Sequence, residues 1–203
     1  MLRRGFEGDA KVHVVDAVGD GQSALKRLAE VKLDVVLMDI DLGPGPSGIE
    51  TGIKIKAQRP SVGIVLLSMH IEKDYLQAIP EAQRAGWSYL LKQSVSDLAS
   101  LTRAIEGAAA GFVVLDPALV TTLKPKPKSA ISGLSPRLAE VLELMAQGFD
   151  NPAIAGKLHV GEKSVENYVN AIYQQLGVTR ADSIHPRVKA VLHYLDQSRH
   201  VTQ

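Results

Sequence analysis

Residues 33–48, "LDVVLMDIDLGPGPSG", join an apolar run to two aspartates and a loop rich in glycine and proline. The run from 33 to 39 is dominated by valine, leucine and methionine, which predicts a short strand buried on both faces. The glycines and prolines that follow predict a loop. Asp39 and Asp41 therefore stand where a buried strand ends, and parallel sheets bind their ligands at such ends.

Strand-like and helix-like patterns alternate on both sides of this stretch. Uncharged strands that alternate with helices predict a parallel sheet covered by helices, an α/β fold. The predicted strands are 11–21 (a valine-rich run closed by Gly-Asp-Gly), 33–39, 62–68 and 86–93. The predicted helices are 22–30, 48–60 (stopped by Pro60), a polar segment to about Ala85, and 96–111, with Ser96 as N-cap and Gly111 as the stop.

The composition changes after residue 120. The segment "TTLKPKPKSAISG", residues 121–133, alternates lysine with proline and predicts an extended, solvated connector. Only helical patterns follow, from Leu134 to about Ser198, which predicts a small all-helical domain. We expect an α/β domain at 1–123, a Lys/Pro linker at 124–133 and a helical domain at 134–203.

The composition of the whole chain excludes several classes of protein. The 203 residues carry a formal net charge of +1, which decides nothing about a nucleic-acid partner, and no cysteine, which excludes disulfides and thiol chemistry. The apolar stretches are too short to cross a bilayer and no signal-peptide pattern opens the chain, so no membrane partner is expected. The prediction is a soluble, cytoplasmic protein. The six histidines are scattered without the spacing of metal ligands.

Three strands in succession end on groups suited to phosphoryl transfer. Asp39, Ser68 and Lys92 supply a carboxylate nucleophile, a hydroxyl and an ammonium that can donate to phosphoryl oxygens. Each residue alone is more often structural, as a helix cap, a turn residue or a solvated charge. Their joint placement at one edge of the predicted sheet favours a phosphoryl site.

These strand ends resemble the receiver domain of bacterial response regulators, which has a flavodoxin-like fold. "DVVLMDIDL" is similar to the family's phospho-acceptor strand, "VLLSMH" to the strand with its Ser/Thr, and "SYLLKQ" to the strand with its Lys. The resemblance implies phosphorylation by a sensor histidine kinase, which draws in the hydroxyl and turns an aromatic switch residue inward. The implied residues are Asp39 as acceptor, Ser68, Tyr89 and Lys92 as the phosphoryl-binding and switch group, and Asp41 and His70 as modulators of phosphoryl lifetime.

The resemblance is incomplete at its amino end. "KVHVVDAVGDGQSALKRL" is similar to the family's second strand and second helix, and no counterpart of the first strand with its acidic pair precedes it. That pair, together with the acceptor, holds Mg²⁺ in the family. Asp9, Asp16 and Asp20 are poor substitutes for this pair, since Asp16 lies in the predicted second strand and Asp20 in a turn. The magnesium site would therefore rest on Asp39 alone, which is weak for a cation that needs several oxygens.

In the second half, residues 134–178 have the spacing of a helix-turn-helix. Ser135-Pro136 opens a first helix, Asn151-Pro152 a second, and "HVGE" is a tight turn before a third that ends at Gly177. The third helix has an apolar inner stripe and a polar outer face; a generic three-helix bundle is the alternative. The segment resembles the LuxR-type effector domain of NarL/FixJ regulators, which implies binding to double-stranded promoter DNA by Lys163, Ser164, Glu166, Asn167 and Asn170.

The net charge of the helical domain and a fourth predicted helix indicate whether one chain or two bind DNA. From residue 131 to 203 there are seven Lys/Arg and seven Asp/Glu, so this domain is neutral and a monomer should bind weakly. A homodimer on two half-sites would compensate. The pattern at 185–197 predicts either a dimerisation helix or simple packing on the bundle, through one stripe formed by Val188, Val191, Leu192 and Leu195.

Taken together, the two halves predict a non-enzymatic DNA-binding response regulator of NarL/FixJ type, controlled by phosphorylation of Asp39. One alternative is a phosphorylation-independent regulator that uses the receiver only for dimerisation. Another is a phosphohydrolase, because "DIDLG" is similar to the two-aspartate opening of haloacid-dehalogenase-like phosphatases. Against this alternative, the motif does not lie on a first strand and the helical half has no role in that chemistry.

Overall fold

The computed structural model describes Phe6 and residues 11–70, 78–179 and 184–200. In the first half, the helices and strands alternate as predicted. They are α1 (Gly21–Arg27), β1 (Val35–Asp39), α2 (Gly48–Gln58), β2 (Gly63–Ser68), β3 (Trp87–Leu91), α3 (Leu98–Ala109) and β4 (Val114–Leu115). The four strands form one parallel sheet in the order β1-β2-β3-β4. The predicted parallel α/β fold is confirmed.

Residues 11–18 do not form the predicted strand. Within the described part of the chain, this segment stays outside the sheet and β1 is an edge strand. Val12 and Val14 are partly buried on the sheet face that α3 covers, and Lys11 Nζ pairs with Glu106 of that helix at 2.8 Å. Valine favours strands mainly by packing on a pleated surface, and here the valines reach a buried face outside the described sheet.

The sheet buries apolar side chains on both faces, as its sequence predicts. Ile64, Leu66 and Trp87 point to one face and belong to a core that continues into the second half of the chain. Val65 and Leu90 point to the other face, towards the inner side of α3. All five side chains are at most 1% exposed. This burial on two sides explains why the strands carry no charge before Asp39 at the carboxyl end of β1.

The predicted helices of the first half need two adjustments. Most of the polar segment before Ala85 lies outside the described residues, and its described part contains only a 3₁₀ turn at Glu81–Gln83. The N-cap of α3 is Asp97 rather than Ser96, because the Asp97 carboxylate accepts from Ala99 N at 3.2 Å. The Ser96 hydroxyl instead donates to the carbonyl of Gln93. Gly111, with φ of +79°, follows the end of α3 as predicted.

The second half has the predicted helices with the predicted starts. They are α5 (Pro136–Ala146), α6 (Asn151–Leu158), α7 (Glu162–Gln175) and α8 (Pro186–Asp196), and a short helix α4 (Pro117–Thr122) precedes them. Ser135 caps α5 with Pro136 at its first position, as predicted. Asp150 caps α6, accepting from Ala153 N at 2.9 Å. Gly177, with φ of +64°, follows α7. None of the helices in the described ranges is both long and apolar enough to cross a membrane.

Part of the Lys/Pro segment is paired rather than freely extended. Residues Leu123–Pro125 form β5, which runs antiparallel to β6 (Ser198–His200) at the other end of the helical half. Lys126 continues this pairing, because its N–H donates to the carbonyl of Gln197 at 2.8 Å. The boundaries at 123/124 and 133/134 stay predictions.

The two halves are in direct contact. Arg84 pairs with Asp196 of α8 at 3.3 Å. Arg103 of α3 donates to the carbonyl of Gln147 at 3.0 Å and stacks on Phe149, with its guanidinium carbon 4.2 Å from the ring centre. Burial lowers the pKa of Arg103, against the opposing effect of the nearby Asp97. These contacts hold α3 against the turn between α5 and α6.

Glu143, on α5, gives the helical half a predictable dependence on pH. Burial raises the pKa of Glu143 above its ordinary value of 4.5; Lys124 opposes this and Glu140 adds to it. The folded chain therefore holds this proton more tightly than the unfolded chain. The contribution of the protonated Glu143 to stability is complete below pH 4.5 and is lost as the pH rises through the folded pKa.

We expect Glu143→Gln, which cannot ionise, to melt at a higher temperature than the wild type at pH 8. The difference should shrink as the pH falls towards 4.5. Melts followed by circular dichroism across this range measure the effect, with the exposed Glu81→Gln as control. A difference that does not depend on pH would contradict the explanation.

Candidate functional site

Asp39 and Lys92 meet at the carboxyl edge of the sheet. The Lys92 ammonium donates to Asp39 Oδ2, and the Asp41 backbone N–H donates to Oδ1 at 3.1 Å. The two side chains are 34% and 33% exposed, so the pair lies at the surface and within reach of a phosphoryl donor. The strand ends therefore bring together a carboxylate and a cation, as the sequence predicts.

Ser68 lies at the end of the neighbouring strand. Asp39 is opposite Leu67 in the β1–β2 register, so Ser68 is one residue further along β2. It is 4% exposed and its hydroxyl accepts from His70 N at 3.1 Å. The hydroxyl is thus close to the acceptor strand and oriented by its own backbone.

Tyr89 points into the protein. Its ring is 0% exposed and its hydroxyl donates to the carbonyl of His70. The resemblance assigns this inward position to the phosphorylated state, and here it occurs beside an Asp39 paired with Lys92. The side chains of Asp41 and His70 are exposed beside the acceptor, where the resemblance places residues that modulate phosphoryl lifetime.

The loop after β1 is folded tightly back onto the acceptor. Gly48 N donates to the carbonyl of Ile40 at 2.9 Å, and a Cβ at position 48 would lie 2.1 Å from the carbonyl oxygen of Asp39. Only glycine fits there. Ser47 and Glu50 then start α2 with a capping box. The loop "LGPGPSG" therefore fixes the backbone on which Asp39 sits.

The described residues do not fit a magnesium site. Mg²⁺ needs near-octahedral oxygen coordination. Both carboxylate oxygens of Asp39 already accept hydrogen bonds, one of them from a cation. Within residues 11–70, 78–179 and 184–198, no three carboxylate or imidazole side chains are grouped as metal ligands would be. The magnesium ion that the resemblance implies is therefore not supported by these residues.

Asp116 is a structural residue of this region that the sequence reasoning missed. It is 0% exposed. One carboxylate oxygen accepts from Leu91 N at 2.9 Å, next to Lys92, and the other accepts from Ala118 N at 2.8 Å as the N-cap of α4. The signal was present, because Asp116-Pro117 is the pattern of an N-cap followed by proline at the first helical position.

The outer face of α7 is polar and accessible. Its inner residues Val165, Val169, Ile172 and Leu176 are at most 7% exposed, as predicted. On the outer face, the Lys163 ammonium pairs with Glu166 at 2.7 Å, and this hydrogen bond raises the pKa of Lys163. The residues predicted to bind DNA are exposed except for Ser164, which is partly buried: Lys163, Ser164, Glu166, Asn167 and Asn170.

The apolar stripe of α8 faces the chain itself. Val188, Val191 and Leu195 are each 1% exposed and Leu192 is 8% exposed. They belong to the shared core with α5, and Leu192 and Leu195 also lie beside Trp87 of the receiver. This arrangement agrees with the packing alternative, and the role of the stripe in dimerisation stays a prediction. Dimerisation through this stripe would first require α8 to leave the receiver.

Comparison with known protein families and relatives follows the division into two halves. Residues 1–113 match the response regulator receiver domain, and residues 132–185 match the bacterial regulatory proteins of the luxR family. The oxygen regulatory protein NreC of Staphylococcus carnosus (strain TM300) is 30% identical over 184 residues, with 85% of this chain and 82% of that protein covered.

Two further proteins are similar over most of the chain. NreC of Staphylococcus aureus (strain bovine RF122 / ET3-1) is 32% identical over 178 residues, with 82% of this chain and 80% of that protein covered. A solved structure of two RcsB dimers bound to two parallel DNAs is 26% identical, with 97% of this chain and 91% of that chain covered and a TM-score of 0.49. The chain belongs to the two-component response regulators of NarL/FixJ type, with a receiver domain followed by a LuxR-type DNA-binding domain.

Proposed function

We propose that this transcriptional regulator binds double-stranded promoter DNA by inserting α7 into the major groove. The observation that carries the proposal is the division of α7 into a buried apolar face and an exposed polar face. Asn167 and Asn170 present amides that can pair with base edges, and Lys163 presents a cation for phosphate. Because the domain is neutral, we infer that a homodimer is the form that binds tightly.

Glu166 limits DNA affinity in this proposal. Its carboxylate repels the DNA phosphates, and it pairs with the Lys163 ammonium, which would otherwise contact a phosphate. We expect Glu166→Gln to bind DNA severalfold more tightly, with the slope of log affinity against log salt steeper by about 0.9, one phosphate contact. Binding titrations with promoter DNA at several salt concentrations measure both quantities.

The matched control is Glu140→Gln, which removes an equivalent exposed carboxylate paired with Arg137 on α5. It changes the net charge equally but lies away from the polar face of α7. Equal effects of the two substitutions would mean that α7 is not the DNA-contacting helix.

We further propose that Asp39 accepts a phosphoryl group from a phosphohistidine of a sensor histidine kinase. The carboxylate oxygen attacks phosphorus, the P–O bond forms as the P–N bond breaks, and the imidazole leaves with the electron pair and takes up a proton. The Lys92 ammonium, already on Asp39 Oδ2, can donate to the developing phosphoryl oxygens. Ser68, one strand away, supplies the second donor once it leaves His70 N.

A phosphorylation-independent regulator is the second candidate, and three observations favour it. Lys92 already neutralises Asp39, and Tyr89 is already inside the protein. The described residues also lack the ligands for a magnesium ion. In this candidate the receiver controls DNA binding through dimerisation or through its contacts with the helical half.

Intact mass after incubation with acetyl phosphate, with and without Mg²⁺, separates the two candidates. We expect a phosphoryl adduct on the wild type and none on Asp39→Asn. No adduct on the wild type would favour the phosphorylation-independent regulator. Steady release of nitrophenol from p-nitrophenyl phosphate would instead favour the haloacid-dehalogenase-like phosphohydrolase, for which Asp41 is the second aspartate.

A further inference from the structure

A cavity of about 340 Å³ lies between the receiver and the helical half. Phe112 and Val114 line it from the receiver side, and Met145, Val169 and Val191 line it from the helices. Its walls are mainly apolar. Its volume falls within the range of small-molecule sites, about 300–1,000 Å³.

Arg187 places a cation without an ion pair in the wall of this cavity. Its guanidinium donates to the carbonyl of Phe149 and, at 3.4 Å, to Asn151 Oδ1, which leaves three of its five N–H groups for another acceptor. It makes no ion pair with the carboxylates of the described ranges. Burial lowers the pKa of Arg187, against opposing effects of Tyr173 and Asp150.

The other polar groups around the cavity do not neutralise this charge. Asp150 is exposed, and its carboxylate accepts from Ala153 N at 2.9 Å as the cap of α6. Burial raises the pKa of Tyr173, so its hydroxyl stays neutral and can donate. The ring of His185 packs edge-on against Phe112, with 5.3 Å between ring centres, and joins the helical half to the receiver at the rim.

We propose that this cavity binds a small monocarboxylate with an aromatic body. The carboxylate would pair with Arg187, which is a fork-shaped donor suited to two oxygens. The aromatic body would lie against Phe112, Met145 and Val191. Phosphates and multiply charged anions are poorer candidates, because apolar walls cannot solvate the additional charge.

Binding at this position would hold the two halves together, because residues from both line the cavity. The ligand would bind the docked arrangement and not the undocked one, so the melting temperature should rise with the logarithm of the ligand concentration once this exceeds the Kd. This expectation does not depend on phosphorylation of Asp39 or on the DNA sequence recognised.

The test compares acids with their neutral amides on the full chain: phenylacetate with phenylacetamide, and indole-3-acetate with indole-3-acetamide. Calorimetric titration and thermal melts are expected to give saturable binding of at least one acid, at least tenfold tighter than its amide. Arg187→Gln should remove this preference, and Arg187→Lys should retain part of it.

Equal binding of acid and amide, an unchanged preference in Arg187→Gln, or no binding of either acid would overturn the proposal. If Arg187→Gln does not fold, the comparison of acid and amide on the wild type and on Arg187→Lys decides the result.

Discussion

Replacing Trp87 with alanine is expected to lower the free energy of unfolding by about 3–5 kcal/mol, the range for deleting a large buried aromatic side chain. Trp87 is 0% exposed at the start of β3. Its ring lies so close to α2 that a Cβ at Gly52 would come within 2.5 Å of it. Its other neighbours include Leu192 and Leu195 of α8, so the cavity left by alanine would weaken both the receiver core and the docking of the helical half.

Urea unfolding followed by circular dichroism measures the loss of unfolding free energy. Tryptophan fluorescence cannot be used, because Trp87 is the only tryptophan and the substitution removes it. Trp87→Phe is the matched control. It keeps most of the apolar volume and removes a buried Nε1–H that has no hydrogen-bond partner within the described part of the chain. We expect it to cost under about 1.5 kcal/mol. Equal losses for alanine and phenylalanine would show that ring packing is not what stabilises this strand.

Replacing Asp116 with alanine is expected to cost about 2–4 kcal/mol. The substitution removes the N-cap of α4, worth about 1 kcal/mol, and leaves the buried Leu91 N–H without its acceptor, about 1–3 kcal/mol more. It should also loosen α4 and β5, so trypsin should cut sooner than in the wild type after Lys128, the lysine of this segment that is not followed by proline. Urea unfolding and timed digestion measure the two effects.

Asp20→Ala is the control for the cap alone. Asp20 caps α1, accepting from Ser23 N at 2.8 Å, and it supports no buried strand. We expect a loss of about 1 kcal/mol and no change in digestion at the Lys/Pro segment. A loss at Asp116 no larger than the loss at Asp20 would contradict a bridging role for the buried carboxylate.

Patterns that depend on neighbouring residues predicted most of the fold. Buried strands such as 62–68 show themselves by their lack of charge, and caps such as Ser135-Pro136 by local hydrogen bonding. The strand predicted at residues 11–18 was wrong because a strand also needs a neighbouring strand to pair with, and the propensity of its residues does not report this. The pairing of β5 with β6 was missed for the same reason, since its strands are three residues each and far apart in the sequence.

The residues of the candidate site likewise divide into those that the sequence predicted and those that depend on tertiary packing. Asp39 and Lys92 were predictable because parallel strands place their carboxyl ends together. The inward position of Tyr89 and the burial of Asp116 depend on how strands and connections pack. The place of Arg187 in the wall of a cavity depends on the docking of two domains, whose contacts no local pattern encodes.

The pairing of β5 with β6 also sets how far the helical half can move. Most of the Lys/Pro segment is hydrogen-bonded to the end of the helical half and moves together with it, so the linker between the two domains is only the short connection around α4. A short linker gives the undocked domain an effective concentration near its receiver in the millimolar range. Docking is then unimolecular and insensitive to dilution, whereas association of two chains is not. A dilution series would therefore distinguish docking of the two domains within one chain from association of two chains.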